Sequence, residues 1–152
     1  MDIFTVNLKP KVLTYNDGAV KIFVDYPNIE QGQELDRLKF SALNVGFEVE
    51  WEEKDGKKYP DMSKMTSEQL VQLSEAMTKV NSEEKILRLR YCIKGWEGIK
   101  DEDGNEYKCE LINNALTYEV LNVIAKSEWV EIVYKDMTEL LRFDDNDKKK
   151  FI

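Results

Sequence analysis

KVLTYNDGAVKIFVDYP, residues 11–27, decides how the chain folds: Val12 and Leu13 lie in one run, Val20, Ile22 and Val24 in another with Phe23 facing the opposite side, and Asn16-Asp17-Gly18 stands between them. Apolar residues at every second position make one face of a strand, and Asn-Asp-Gly suits a tight reversal because these residues tolerate positive φ. The stretch predicts an antiparallel hairpin bounded by Pro10 and Pro27, since proline cannot donate to a ladder. Ile3, Val6 and Leu8 extend the apolar pattern toward a third strand.

Beyond the hairpin, Leu35, Leu38 and Leu43 fall near helical spacing between Gln31 and Asn44, with Gly46 as a stop. Phe47, Val49 and Trp51 then alternate with Glu48, Glu50 and Glu52, the pattern of a half-exposed strand that places Trp51 on its core face, and KDGKK at 54–58 closes a hairpin. Thr66 and Gln69 match a capping box before a helix with Leu70, Leu73 and Met77 on its inner stripe. Asn81 and Ser82 mark a second cap, after which Ile86, Leu89, Tyr91 and Ile93 continue that helix or form another, ended by Gly95.

WEGIKDEDGNEYKCE, residues 96–110, is turn-rich around Asp103-Gly104. Val120, Leu121 and Ile124 predict a short helix, and Ser127 caps a last helix whose buried stripe is Trp129, Val130, Val133, Met137, Leu140 and Leu141. Together these readings give an α+β fold in which N-terminal antiparallel β-strands and hairpins are followed by a C-terminal helical part. The expected organisation is one domain over 1–152, β-rich over 1–60 and helical over 61–143, with a charged, frayed tail at 144–152.

Charge narrows the function classes. With 22 Lys and Arg against 30 Asp and Glu the formal charge is −8, which repels phosphate backbones and anionic membrane surfaces, so neither nucleic acid nor membrane is the expected partner. The opening residues lack the basic and apolar regions of a signal peptide, and no apolar run approaches the roughly 18 residues of a membrane span, so an intracellular location is expected. Cys92 and Cys109 lie 17 positions apart without a Cys-x-x-Cys pair, which predicts free thiols.

Histidine is absent, which removes the commonest general base and the usual catalytic triads, and the seven glycines form no phosphate-binding loop. Asp101, Asp103 and Asn105 offer oxygen ligands at alternate positions, but a calcium loop wants glycine sixth and glutamate twelfth, whereas Gly104 is fourth and Ile112 twelfth. An exposed turn is the reading of that cluster, with no metal and no cofactor. Cys92 lies in an apolar run beside Tyr91 and Ile93 and reads as a buried structural thiol. The chain is therefore read as a non-enzyme that acts through protein contacts.

YCIKGWEGIKDEDGNEYKC, residues 91–109, followed by a short and then a longer helix, resembles the small tail assembly chaperones of long-tailed bacteriophages and related virion-assembly proteins. Trp96, Glu97, Gly98, Ile99, Asp101, Asp103 and Gly104 match that group's turn position by position, while Lys108 stands where the group usually has a proline. The resemblance runs from the helix before Gly95 through the helix around Trp129. It implies a protein in the bacterial host cytoplasm that binds tail subunits, the tape-measure protein above all, during virion morphogenesis. The alternatives are a structural virion component, such as a head-decoration, connector or tail-completion protein, and a phage-encoded inhibitor of a host protein; an oligomer is compatible with each.

The expected contact residues are Trp96, Ile99, Asp101, Asp103, Asn105, Trp129 and Tyr134. Tryptophan dominates binding hot spots, and Trp96 precedes an exposed turn, so Trp96→Ala is expected to weaken partner binding more than stability.

Overall fold

The computed structural model describes residues 4–6, 8–41 and 45–149, with side chains up to Arg142. In chain order the elements are β1 (Lys11–Tyr15), β2 (Val20–Val24), α1 (Ile29–Ser41), β3 (Trp51–Lys54), β4 (Lys57–Pro60), α2 (Ser67–Cys92), β5 (Ile93–Glu97), β6 (Leu111–Ile112), β7 (Ala115–Leu116), α3 (Tyr118–Ile124) and α4 (Trp129–Lys149). The fold is α+β, with N-terminal antiparallel strands and C-terminal helices. Among the described residues no helix is long and apolar enough to cross a membrane.

Two compact units divide the chain, one formed by Met1–Asn28 with Arg88–Ile152 and the other by Ile29–Leu87. The sequence reading is of one domain over 1–152, β-rich over 1–60 and helical over 61–143, with a charged tail at 144–152. Strands enter the part expected to be helical, since β5, β6 and β7 all follow residue 61.

The first unit is built on a three-stranded antiparallel sheet in the order β1-β2-β5. Leu13 pairs with Ile22, and Ile22 in turn with Trp96, so their side chains share one face. Asn16, Asp17 and Gly18 all take positive φ in the β1–β2 reversal. Ile22, Val24, Ile93, Leu116, Val120, Ile124, Val133 and Met137 are buried in a single apolar cluster with Trp96. Val130, Val133, Met137 and Leu141 of α4 are buried as their spacing required, and Leu140 packs at the edge of the cluster.

Two local signals resolve atom by atom here. Thr117 Oγ1 accepts from Val120 N at 3.3 Å and caps α3. The β6–β7 reversal, which the sequence reading did not include, turns on Asn113 and Asn114, both at positive φ.

The second unit holds α1, the β3–β4 hairpin and most of α2. Leu35, Leu73 and Val80 are its buried apolar side chains, and Lys39 of α1 stands 3.7 Å from Glu84 of α2. The capping box forms in both directions: Thr66 N donates to Gln69 Oε1 and Gln69 N to Thr66 Oγ1, each at 3.1 Å. Ser82 does not restart a helix, because α2 passes through it unbroken.

Several expectations are corrected. Residues 4–6 and 8–10 form no strand, and Ile3 lies outside the described residues. α1 ends at Ser41, so Leu43 falls outside them as well. The third strand starts at Trp51 rather than Phe47, and its tryptophan, on a two-stranded sheet, is 43% exposed. Met77 is exposed rather than on the inner stripe of α2. That helix stops at Cys92, and the apolar run expected to continue it as far as Gly95 becomes β5. α4 extends to Lys149 through most of the stretch expected to fray, while 150–152 lie outside the described residues.

Candidate protein-contact site

The segment following Trp96 is a hairpin closed by its own side chains. Gly98 takes φ +84°, and a Cβ placed there would overlap the carbonyl oxygen of Ala19 and lie 3.2 Å from Val20 Cα, so only glycine lets β5 leave the sheet this close to β2. Tyr107 N donates to Ile99 O at 2.7 Å, and Lys100 bridges Glu106 across the hairpin. Asp101 Oδ1 accepts from the backbone N–H groups of Asp103 (3.0 Å) and Asn105 (2.9 Å), while Gly104 N donates to Asp101 O at 3.1 Å. The acidic and glycine positions of this motif are thereby accounted for as turn chemistry.

Trp96, singled out from the sequence as a contact residue, packs in the core. It is only 8% exposed, its indole Nε1 donates to Tyr107 O at 2.6 Å, and its ring stacks on Tyr107 with centroids 6.1 Å apart. Its N–H is satisfied and its surface largely covered. On its other side it meets Trp129 edge to face, with centroids 6.5 Å apart and planes at 82°.

Trp129 and Ile99 form the walls of an apolar cleft of about 350 Å³. Tyr15, Val20 and Ile22 supply the sheet side and Ile132 the helix side, while Asn16 and Lys100 add polar groups. Ile132 is 57% exposed. Tyr15 Oη donates to Asp136 Oδ2 at 2.8 Å. Burial, reinforced by that carboxylate, pushes the ionisation of Tyr15 far above the ordinary phenol value, so it remains a neutral donor.

Of the seven residues singled out from the sequence, the cleft brings Ile99 and Trp129 together. Asp101, Asp103 and Asn105 are exposed on the neighbouring hairpin and do not line it. Tyr134 is half-buried against the core and does not line it either. Tyr15, Val20, Ile22 and Ile132 were not foreseen as site residues. Ile132 carried a readable signal, since it is a large apolar residue off the buried stripe of α4. Among the described residues no group of three or more Cys, Asp or Glu is placed to hold a metal ion.

Away from the cleft, both thiols are free, Cys92 buried and Cys109 half-buried. Burial pushes Cys92 up to about 11 from an ordinary value near 9, with Arg88 and Lys94 offsetting only part of the effect. At pH 8 the thiolate fraction is then lower by about a hundredfold, so Cys92 in the folded protein is expected to react with iodoacetamide at least ~100-fold more slowly than in urea. Mass spectrometry of peptides labelled over time reads this directly, and equal rates in the two conditions would contradict the burial. As pH rises from 9 toward 11 the unfolded chain releases this proton while the folded chain holds it. Cys92 therefore subtracts stability across that window and adds no pH dependence below it.

No family model, curated protein or solved structure matches the chain.

Proposed function

We propose that this chain is a protein-binding module related in role to the tail assembly chaperones of long-tailed phages, and that it holds an apolar segment of a tail subunit, foremost the tape-measure protein, in the Ile99–Trp129–Ile132 cleft. The observation that carries this reading is the cleft itself. Its walls are mainly apolar, one of them is a tryptophan, and an exposed isoleucine stands beside it on a helix whose opposite side is fixed in the core. A desolvated pocket containing Trp is where binding energy concentrates, and each large side chain buried there contributes about 1.5–3 kcal/mol. The net charge of −8 keeps a complex with an apolar client in solution by repulsion between particles.

Co-expression with the tape-measure protein encoded in the same genome tests the reading. The client is expected in the soluble fraction, co-purifying with this chain, and in the pellet when expressed alone. A client that pellets equally with and without this chain would overturn the proposal.

A further inference from the structure

A second, smaller cavity of about 60 Å³ lies in the sheet-containing unit and shares no lining residue with the Ile99–Trp129–Ile132 cleft. Arg88 and Cys92 line it from α2, and Thr138 and Arg142 line it from α4. Each pair is four positions apart, which puts its two members on one face of their helix. Among the described residues no Asp or Glu lines this cavity, although the chain has 30 of them against 22 Lys and Arg.

Two guanidinium groups at one cavity make a local excess of positive charge in an acidic protein. The charge of Arg88 reaches the interior of the site, where it opposes the effect of burial on the Cys92 thiol. Asp25 acts in the opposite sense, and its Oδ1 accepts from Tyr26 N at 2.8 Å. Two other polar protons at the cavity are committed to the protein, since Tyr26 Oη donates to Leu141 O and Thr138 Oγ1 donates to Tyr134 O at 2.8 Å. The strong side-chain donors left for an occupant are the guanidinium N–H groups. Arg88 has an interaction within the protein, and its five N–H donors leave capacity for another.

We propose that this cavity binds a small tetrahedral oxyanion of the phosphate class, held between Arg88 and Arg142. Size selects an ion: the cavity holds several waters, at about 10–15 Å³ each, but falls far short of the roughly 300–1,000 Å³ of pockets for organic ligands. Shape selects phosphate over carboxylate. One planar guanidinium fork takes both oxygens of a carboxylate, whereas a phosphate keeps oxygens for a second fork. The net charge of −8 opposes the approach of an anion, but salt screens exposed charges beyond about 8 Å, so the two adjacent cations dominate at the site. Bound there, the ion ties α2 to α4 and makes the stability of this unit rise with phosphate concentration.

NMR titration of the full chain with inorganic phosphate at pH 7 and fixed ionic strength tests the site. Saturable shifts are expected at the amides of Arg88, Cys92, Thr138 and Arg142, with a millimolar or tighter Kd. Arg142→Gln, at an exposed position, should melt like the wild type and bind about tenfold or more weakly, as loss of a charge-assisted hydrogen bond requires. Lys135→Gln removes an exposed α4 cation that does not line the cavity and should leave the affinity unchanged. Acetate should bind about tenfold or more weakly than phosphate. O-phosphoserine distinguishes the source of the group: tighter binding than inorganic phosphate assigns the site to a phosphorylated side chain, weaker binding to the free ion, and both support it.

An absence of saturable shifts, an Arg142→Gln protein that binds like the wild type, or an equal loss in Lys135→Gln would each overturn the proposal. Acetate binding as tightly as phosphate would overturn it too. The cavity is separate from the client cleft, so neither result bears on the other.

Discussion

Gly98→Ala is expected to lower the stability of the sheet-containing unit by on the order of 4 kcal/mol, enough to leave much of the protein unfolded at physiological temperature. Two costs combine. An L-residue at φ +84° loses about 1–2 kcal/mol to its own backbone. The added methyl group also meets the Ala19 carbonyl and Val20 Cα, which are main-chain atoms entering β2 and cannot rotate aside. Relief requires moving β5 from β2 next to the Lys21–Glu97 pair, and the Ile22–Trp96 pair beyond it carries core side chains.

Gly104→Ala is the control, because φ there is also positive, at +82°, but a Cβ would meet nothing within 4 Å. Its cost should remain near 1 kcal/mol. Urea denaturation of both variants decides the matter, and equal losses would contradict the close approach at Gly98.

Trp96→Ala is expected to cost about 3–5 kcal/mol, the range for removing a large aromatic from a core. It empties the space between Tyr107 and Trp129 and leaves the Tyr107 carbonyl without its indole donor. Trp96→Phe keeps most of the apolar volume and loses the N–H, so about 1–2 kcal/mol should go with the hydrogen bond and the smaller ring. Thermal melts of the pair separate packing from hydrogen bonding. A Trp96→Ala protein that melts like the wild type would show that the indole does not belong to the core.

The contrast between these two residues indicates what the sequence could convey. Asn-Asp-Gly before β2, Asp-Gly between β3 and β4 and the Thr66–Gln69 box are local instructions, written in residues whose own side chains or φ angles make the structure, and they could be read without knowing the fold. β5 could not be read that way. Ile93 and Trp96 stand three apart and fit a helix continuing from Leu89, and only pairing with β2 turns the run into a strand. The two-residue strands β6 and β7 are too short to carry a period.

The candidate site was legible in part for the same reason. Ile99 and Trp129 are conspicuous in sequence, but the cleft they line also needs Tyr15, Val20 and Ile22, which arrive from a hairpin more than seventy positions earlier. Trp51 and Trp96 exchange their expected roles because exposure depends on the layer opposite each strand. Among the described residues the β3–β4 hairpin has no further strand beside it, whereas β5 faces the packed cluster.

The proposal that the chain binds a client through the Ile99–Trp129–Ile132 cleft is tested most directly by one comparison. Binding of purified tape-measure fragments to wild type and to Ile132→Glu would be measured by calorimetry, alongside a thermal melt of each. A carboxylate placed in the cleft should weaken binding ten- to a hundredfold, since it removes an apolar contact worth about 1.5–3 kcal/mol, while the melting temperature stays within a degree or two. Equal affinity of the two proteins for the client would contradict the assignment of this cleft.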